Sequence, residues 1–264
     1  PPPPTPPPVI KLFPHTTLFL SPEALGSPEA PLTLGVLVEC ADPIESPEQL
    51  EPWLDLGVVA VGLSWWHGGR YAAGNGVEPG SKGDGLTDLG RALVERLDEA
   101  GVVHDLSHLS QLATEQLLEA SDAPVVATHS NARSLLPGSS ARDAQRHLDD
   151  ATIREIARRG GVIGINLYSR FLSPELWDRA RPGRASIDDV CAHADHIAEV
   201  AGERSFVGLG SDADGGFGAD RLPEGIDRPR DYERVAEALR DRGWSDEEVA
   251  GFRGGNWRRF WSGD

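Results

Sequence analysis

The sequence predicts an α/β protein, a (β/α)8 barrel of the TIM type. Two observations carry that expectation. Short runs rich in Val, Ile and Leu, apolar on both faces, alternate with longer amphipathic segments, the pattern of a parallel sheet buried between helices. The length of 264 residues, with a mass of 28.4 kDa, suits one large domain of this kind. A doubly wound open sheet is the other arrangement that the alternation allows.

Taken in order, residues 1–8 are prolines with a single threonine, a composition that favours an extended chain and cannot enter a sheet interior. They read as a proline-rich tail, with the barrel domain over 9–264. Apolar runs follow at 16–20, 35–39, 58–64, 102–107, 125–128, 162–168 and 206–212, the first having the least strand character. Between them, Thr87 is placed to cap a helix through Leu97 with Gly101 as its stop, and Asp149 to cap 151–159 ahead of Gly160. A further helix is expected over 186–200, and Ser245 and Glu248 have capping-box spacing. Seven runs fall one short of the eight that a closed barrel needs, and an open barrel exposes two unpaired edges. The first strand is therefore expected to be missing from this chain.

Acidic residues outnumber basic ones, 42 to 25, for a formal charge of -17. That balance excludes wholesale nucleic-acid binding. Cys40 and Cys191 lie far apart and read as structural thiols. No apolar run approaches the roughly 18 residues of a membrane-spanning helix, and no signal peptide opens the chain, so a soluble, cytoplasmic protein is expected. Methionine is absent, so the chain is not expected to be a primary translation product.

The chemistry gathers where the runs end. In a parallel barrel these carboxyl ends converge on one face. Glu39 closes the second run, Trp65, Trp66 and His67 follow the third, and Asp105 and His108 close the fourth. His129 follows the fifth, and Asp212 and Asp214 end the seventh. A carboxylate and two imidazoles converging from different strands form a candidate site for zinc or another transition metal, with room for a water. Singly, Glu39 would pair with an arginine, Asp212 would cap a helix, and a strand-end histidine would be structural. Their shared position at one end of the strands favours function. His193 and His196, three apart on the 186–200 helix, are expected to face solvent, and His15, His104 and His147 receive no role.

Several ordered motifs then carry a resemblance. Asp105-Leu106-Ser107-His108, Thr128-His129-Ser130-Asn131-Ala132-Arg133, the stretch 160–168, the stretch 208–215 and Gly255-Asn256 resemble the membrane (renal) dipeptidase family of zinc hydrolases, over about 35–260. The gap between His108 and His129 matches that between the family's two metal histidines. The resemblance implies two zinc ions bridged by Glu39, with His108 and His129 on one of them. It also implies that Asp212 handles the proton passing between attacking water and leaving amine, and that Arg146 holds the substrate's terminal carboxylate. The family's substrate-contacting histidine after the third strand corresponds to His67, whereas an ungapped alignment through Leu63-Ser64 places Trp65 there. Family members often pair as dimers, so the resemblance also implies a homodimer.

One departure stands out. The family's first strand ends in a His-x-Asp pair that completes the other zinc, and none precedes Glu39. The later matches His147-Leu148-Asp149 and His193-Ala194-Asp195 fall in or beside predicted helices. The expectation is a zinc-dependent dipeptidase acting on small dipeptide-like substrates with a free C-terminal carboxylate. Alternatives are an inactive or altered barrel homologue that binds a small molecule or partner protein, and a metal-dependent amidohydrolase of another bond.

Overall fold

The computed structural model describes residues 18–20, 34–177 and 183–263. The proline tail 1–8, His15 and the start of the first predicted run, 16–17, lie outside the described residues. Six strands realise the last six predicted runs: Leu34–Val38, Val58–Gly62, Val103–Asp105, Val125–Val126, Ile163–Ile165 and Val207–Leu209. We number them β2 to β7, with β1 for Leu18–Leu20. Strands β2, β3, β4 and β5 pair parallel in sequence order, as do β6 and β7. A parallel bridge between Ala127 and Ile163 joins the two ladders into one series.

Strand β1 departs from the expected parallel series. It pairs antiparallel with β2, Leu18 opposite Val36 and Leu20 opposite Leu34. Antiparallel pairing needs no crossover helix, so a three-residue strand can reach this edge of β2. The edge that an earlier parallel strand would take is thus occupied. Among the described residues no ladder joins β7 back to β1 or β2.

The helices are α1 (Glu51–Leu54), α2 (Asp88–Glu99), α3 (Gln111–Ala120), α4 (Ala141–Ala144), α5 (Asp150–Arg158), α6 (Ile187–Ala201), α7 (Glu233–Asp241), α8 (Asp246–Ala250) and α9 (Asn256–Ser262). Their starts obey the local chemistry. Thr87 Oγ1 accepts the Gly90 N–H at 3.0 Å, Asp149 Oδ1 accepts that of Thr152 at 2.8 Å, and Ser186 and Ser245 each close a capping box. Each long helix turns an apolar stripe inward: Leu93 and Leu97 on α2, Ile153 and Ile156 on α5, Val190 and Ile197 on α6 are fully buried. Each such side chain contributes about 1.5–3 kcal/mol relative to exposure. No helix among the described residues is long and apolar enough to cross a membrane.

The far side of β7 is closed by side chains. Gly210 N–H donates to the Ile165 carbonyl of β6 at 3.1 Å, so by the alternation of the ladder the Val207 and Leu209 carbonyls face the other way. Asn256 Nδ2 donates to Val207 at 2.7 Å, and Trp257 Nε1 to Leu209 at 3.1 Å. Position 208 must be small, because a Cβ there would lie 2.5 Å from the Trp257 indole.

Candidate active site

The strands are shorter than the apolar runs that predicted them, and the polar ends of the runs curl out of the ladder into one cavity. Close backbone approach draws these ends together. A Cβ at Gly164 or at Gly210 would lie 2.1 Å from the Thr128 carbonyl, so only glycine lets β5, β6 and β7 converge here. The cavity, of about 1100 Å³, is lined by Glu39, His108, Arg146 and Asp212 together with an aromatic wall that includes Trp65, Phe171 and Phe217.

Glu39, directly after β2, meets both imidazoles. Its Oε1 lies 3.1 Å from His108 Nε2 and 3.4 Å from His129 Nε2, and the two rings stand 4.9 Å apart. One ligand atom from each of the three residues falls within 4.8 Å of the others. Burial pushes the Glu39 carboxyl up, but the two imidazoles beside it hold it well below the usual carboxylate range. Burial and the nearby Arg146 charge push His108 well down, whereas Glu39 and Asp212 raise His129 against its burial.

These residues fit a metal. Buried His129 Nε2 has no hydrogen-bond partner, although it faces a carboxylate oxygen and a second imidazole nitrogen. Each ring is anchored from behind on Nδ1: His108 against Asn75 Oδ1 at 3.1 Å, His129 against Thr128 Oγ1 at 2.8 Å. Two imidazoles and a carboxylate, each with a nitrogen or oxygen turned inward, form a donor set suited to a divalent transition metal. Among the described residues this is the one such cluster.

Asp212 sits at φ 58°, a left-handed conformation, and its Oδ2 accepts Asn166 Nδ2–H at 2.9 Å. Arg146 is 3% exposed and lines the same cavity. Its Nη1 donates to Ser130 Oγ at 3.2 Å and its Nη2 to the His129 carbonyl at 2.8 Å, while the guanidinium rests on the Phe171 ring at 5.2 Å. Its Nε is buried without a partner, and no carboxylate among the described residues lies within ion-pair distance. Burial lowers its pKa, against the raising influence of Asp212, Glu39 and Asp105. His67 lines the cavity but is exposed and packs edge-on to Trp66, whereas the Trp65 ring lies 6.0 Å from that of His108.

One histidine departs from expectation, and two others are buried in the interior. His193 is buried, not solvated: its Nδ1 accepts the Ala132 N–H at 3.2 Å and its Nε2 reaches the Leu172 carbonyl at 3.2 Å. The reason is that this face of α6 meets the segments after β5 and β6, which carry Ala132 and Leu172. His104 is fully buried with Nε2 2.6 Å from Asp98, and His147 is buried against the Phe171 and Trp177 rings. Asn75 and Thr128 escaped the sequence reading as parts of the site. Thr128 directly precedes the candidate ligand His129, but Asn75 lies between two glycines at no strand end and gave no signal.

Comparison with known proteins agrees with this geometry. The model of the membrane dipeptidase family, peptidase family M19, matches residues 30–263. An uncharacterized dipeptidase of Schizosaccharomyces pombe is 32% identical over 216 residues, covering 82% of this chain and 49% of that protein. Dipeptidase 3 of Mus musculus is 33% identical over 172 residues, 65% of this chain and 31% of its own length. The chain thus spans about half or less of these curated relatives. A metallo peptidase from Rhodobacter sphaeroides, solved with a phosphinate mimic of the dipeptide L-Ala-D-Ala, superposes with a TM-score of 0.70 at 30% identity, covering 84% of this chain and 60% of that one. A metallo peptidase named dipeptidase AC gives 0.72 at 30% identity, covering 86% and 65%. The alternating parallel strands and helices, the cluster of candidate metal ligands and the family match agree: the chain belongs to the membrane dipeptidase family, peptidase family M19, and has its α/β barrel fold.

Proposed function

We propose that this chain carries the catalytic site of a zinc dipeptidase that hydrolyses dipeptide-like substrates with a free C-terminal carboxylate. One observation carries the reading: Arg146 is a buried cation with no carboxylate partner among the described residues, and it opens onto the cavity that holds the Glu39, His108 and His129 cluster. A buried charge is costly unless paired, so an anionic ligand completes it. A planar guanidinium grips a carboxylate through parallel hydrogen bonds, which selects a free C-terminus. The bound dipeptide mimic of the Rhodobacter sphaeroides relative supports the same substrate class.

Glu39, His108 and His129 would hold the zinc, which supplies Lewis-acid polarisation of the scissile carbonyl and acidification of a water. Asp212 takes the proton released by the attacking water and returns it to the leaving amine. Asn166 fixes one Asp212 oxygen, leaving the other for that transfer. Tyr168, Phe171 and Phe217 form a continuous aromatic wall, with ring separations of 4.9 and 4.6 Å, that limits water beside the Arg146 grip. His67, at the exposed rim, is suited to contact the outer part of the substrate. A second zinc, implied by the family likeness, needs ligands beyond this cluster. Pairing as a homodimer belongs to the same proposal and is checked by light scattering.

Free dipeptides, and not their C-amidated forms, are the expected substrates, and equal turnover of both would remove Arg146 from substrate recognition. Replacing Asp212→Asn is expected to lower kcat by about 10²–10⁴-fold with metal content unchanged. A wild-type chain that holds no metal and turns over neither free nor C-amidated dipeptides favours the altered barrel that only binds.

A further inference from the structure

Behind the His129 ring stands a carboxylate that reaches it through a hydroxyl. Asp105 is 1% exposed and has no cation within ion-pair distance among the described residues. Its Oδ1 accepts the backbone N–H groups of Ser107 and Thr128, each at 3.0 Å, and its Oδ2 accepts the Thr128 hydroxyl at 2.5 Å. A carboxylate has no proton to give, so the hydroxyl directs its single proton to Asp105 and can only accept on its other side. The atom on that side is His129 Nδ1, at 2.8 Å. The ring must therefore carry its proton on Nδ1, leaving a bare lone pair on Nε2, the atom that faces Glu39 at 3.4 Å.

We propose that Thr128, held by the buried Asp105, is a positioning residue that locks His129 in the Nδ1–H tautomer and so presents Nε2 as a ready metal ligand. The proposal rests on the reading of Glu39, His108 and His129 as the metal ligands. Independent contacts fix the backbone of the same residue. His129 N–H donates to Ser107 Oγ at 3.2 Å, and its carbonyl accepts from Arg146 Nη2 at 2.8 Å. Ring and backbone are thus both held, and an acceptor tied to a carboxylate makes the liganding nitrogen more basic. His108 shows the same logic by another route, since Asn75 Oδ1 can only accept from its Nδ1.

Two substitutions separate the hydroxyl from the shape. Thr128→Val keeps the volume and loses the hydroxyl, whereas Thr128→Ser keeps the hydroxyl. In the metal-free full chain with nitrogen-15 histidine, at alkaline pH where the ring is neutral, long-range proton–nitrogen spectra are expected to show the Nδ1–H tautomer of His129. Thr128→Ser should retain it, and Thr128→Val should show both tautomers. Chelator competition with Zn²⁺ and Co²⁺ is expected to give about 10–100-fold weaker binding for Thr128→Val and a change of about threefold or less for Thr128→Ser. An Nε2–H tautomer in the wild type, or unchanged affinity in a folded Thr128→Val, overturns the proposal. A wild-type chain that shows the Nδ1–H tautomer yet binds neither ion instead overturns the metal reading beneath it, so the two failures are distinct.

Discussion

At the scale of single residues, the site is marked by backbone conformations that side chains normally avoid. His108, Asp212 and Asp214 have φ values of 70°, 58° and 66°, and among the described residues they are the non-glycine positions with positive φ. Such conformations cost on the order of 1–2 kcal/mol, less for Asp, and persist where surrounding structure imposes them. For His108 the imposed contact is clear, because its carbonyl accepts Asn75 N–H at 2.7 Å while its ring is held by the Asn75 side chain. Asp214 is exposed and lies outside the cavity lining, so its strain serves no contact of the site. Asp214→Gly is therefore expected to raise stability by about 0.5 kcal/mol in urea unfolding with kcat unchanged. A decrease in the unfolding midpoint would show that the aspartate side chain is itself stabilising the turn.

At the scale of elements, α6 shows what a sequence does and does not reveal. Its start was legible because a capping box is a contact between residues three apart, and Ser186 and Asp189 carry it by themselves. The burial of His193 was also written in the pattern, since it lies three residues after Val190 and four before Ile197 on the apolar stripe. A helix on the outside of a barrel still buries a histidine on its stripe where, as here, the segments carrying Ala132 and Leu172 cover it. The antiparallel pairing of β1 had no local signal, because it depends on which edge of β2 is open. Burial pushes the His193 pKa down to about 4, despite the Leu172 carbonyl that favours its charged form. With the folded value below the unfolded 6.5, the unfolded chain takes up the proton first. This contribution is full above the unfolded pKa and falls by about 3 kcal/mol as the pH drops from about 6.5 to 4. Replacing His193→Gln should flatten that part of a stability–pH curve measured by urea unfolding. An unchanged acid slope would assign it to other buried histidines.

For the whole molecule, the site exists only when the chain is folded, since Glu39, His108 and His129 come from three different strand ends. The meeting of the three candidate ligands was legible because strand ends in a parallel series share one face, while the outer partners of the rings were not, because they depend on loop paths. A metal held by that cluster couples to global stability. At a free ion concentration about 100-fold above Kd, unfolding should cost about 2.7 kcal/mol more, raising Tm by about 5–10 °C, and His129→Ala should abolish the shift. Calorimetry with and without the ion decides this, and equal shifts in both proteins would place the ion elsewhere. The closure of β7 by Asn256 and Trp257 has its own corollary. One amide and one indole donor here do what a neighbouring backbone does elsewhere, so the helix that carries them is a stopper for a sticky border. A version of the protein shortened to end at Gly255 should keep its fold but leave the Val207 and Leu209 oxygens open to any passing chain, and should elute from a sizing column as concentration-dependent assemblies.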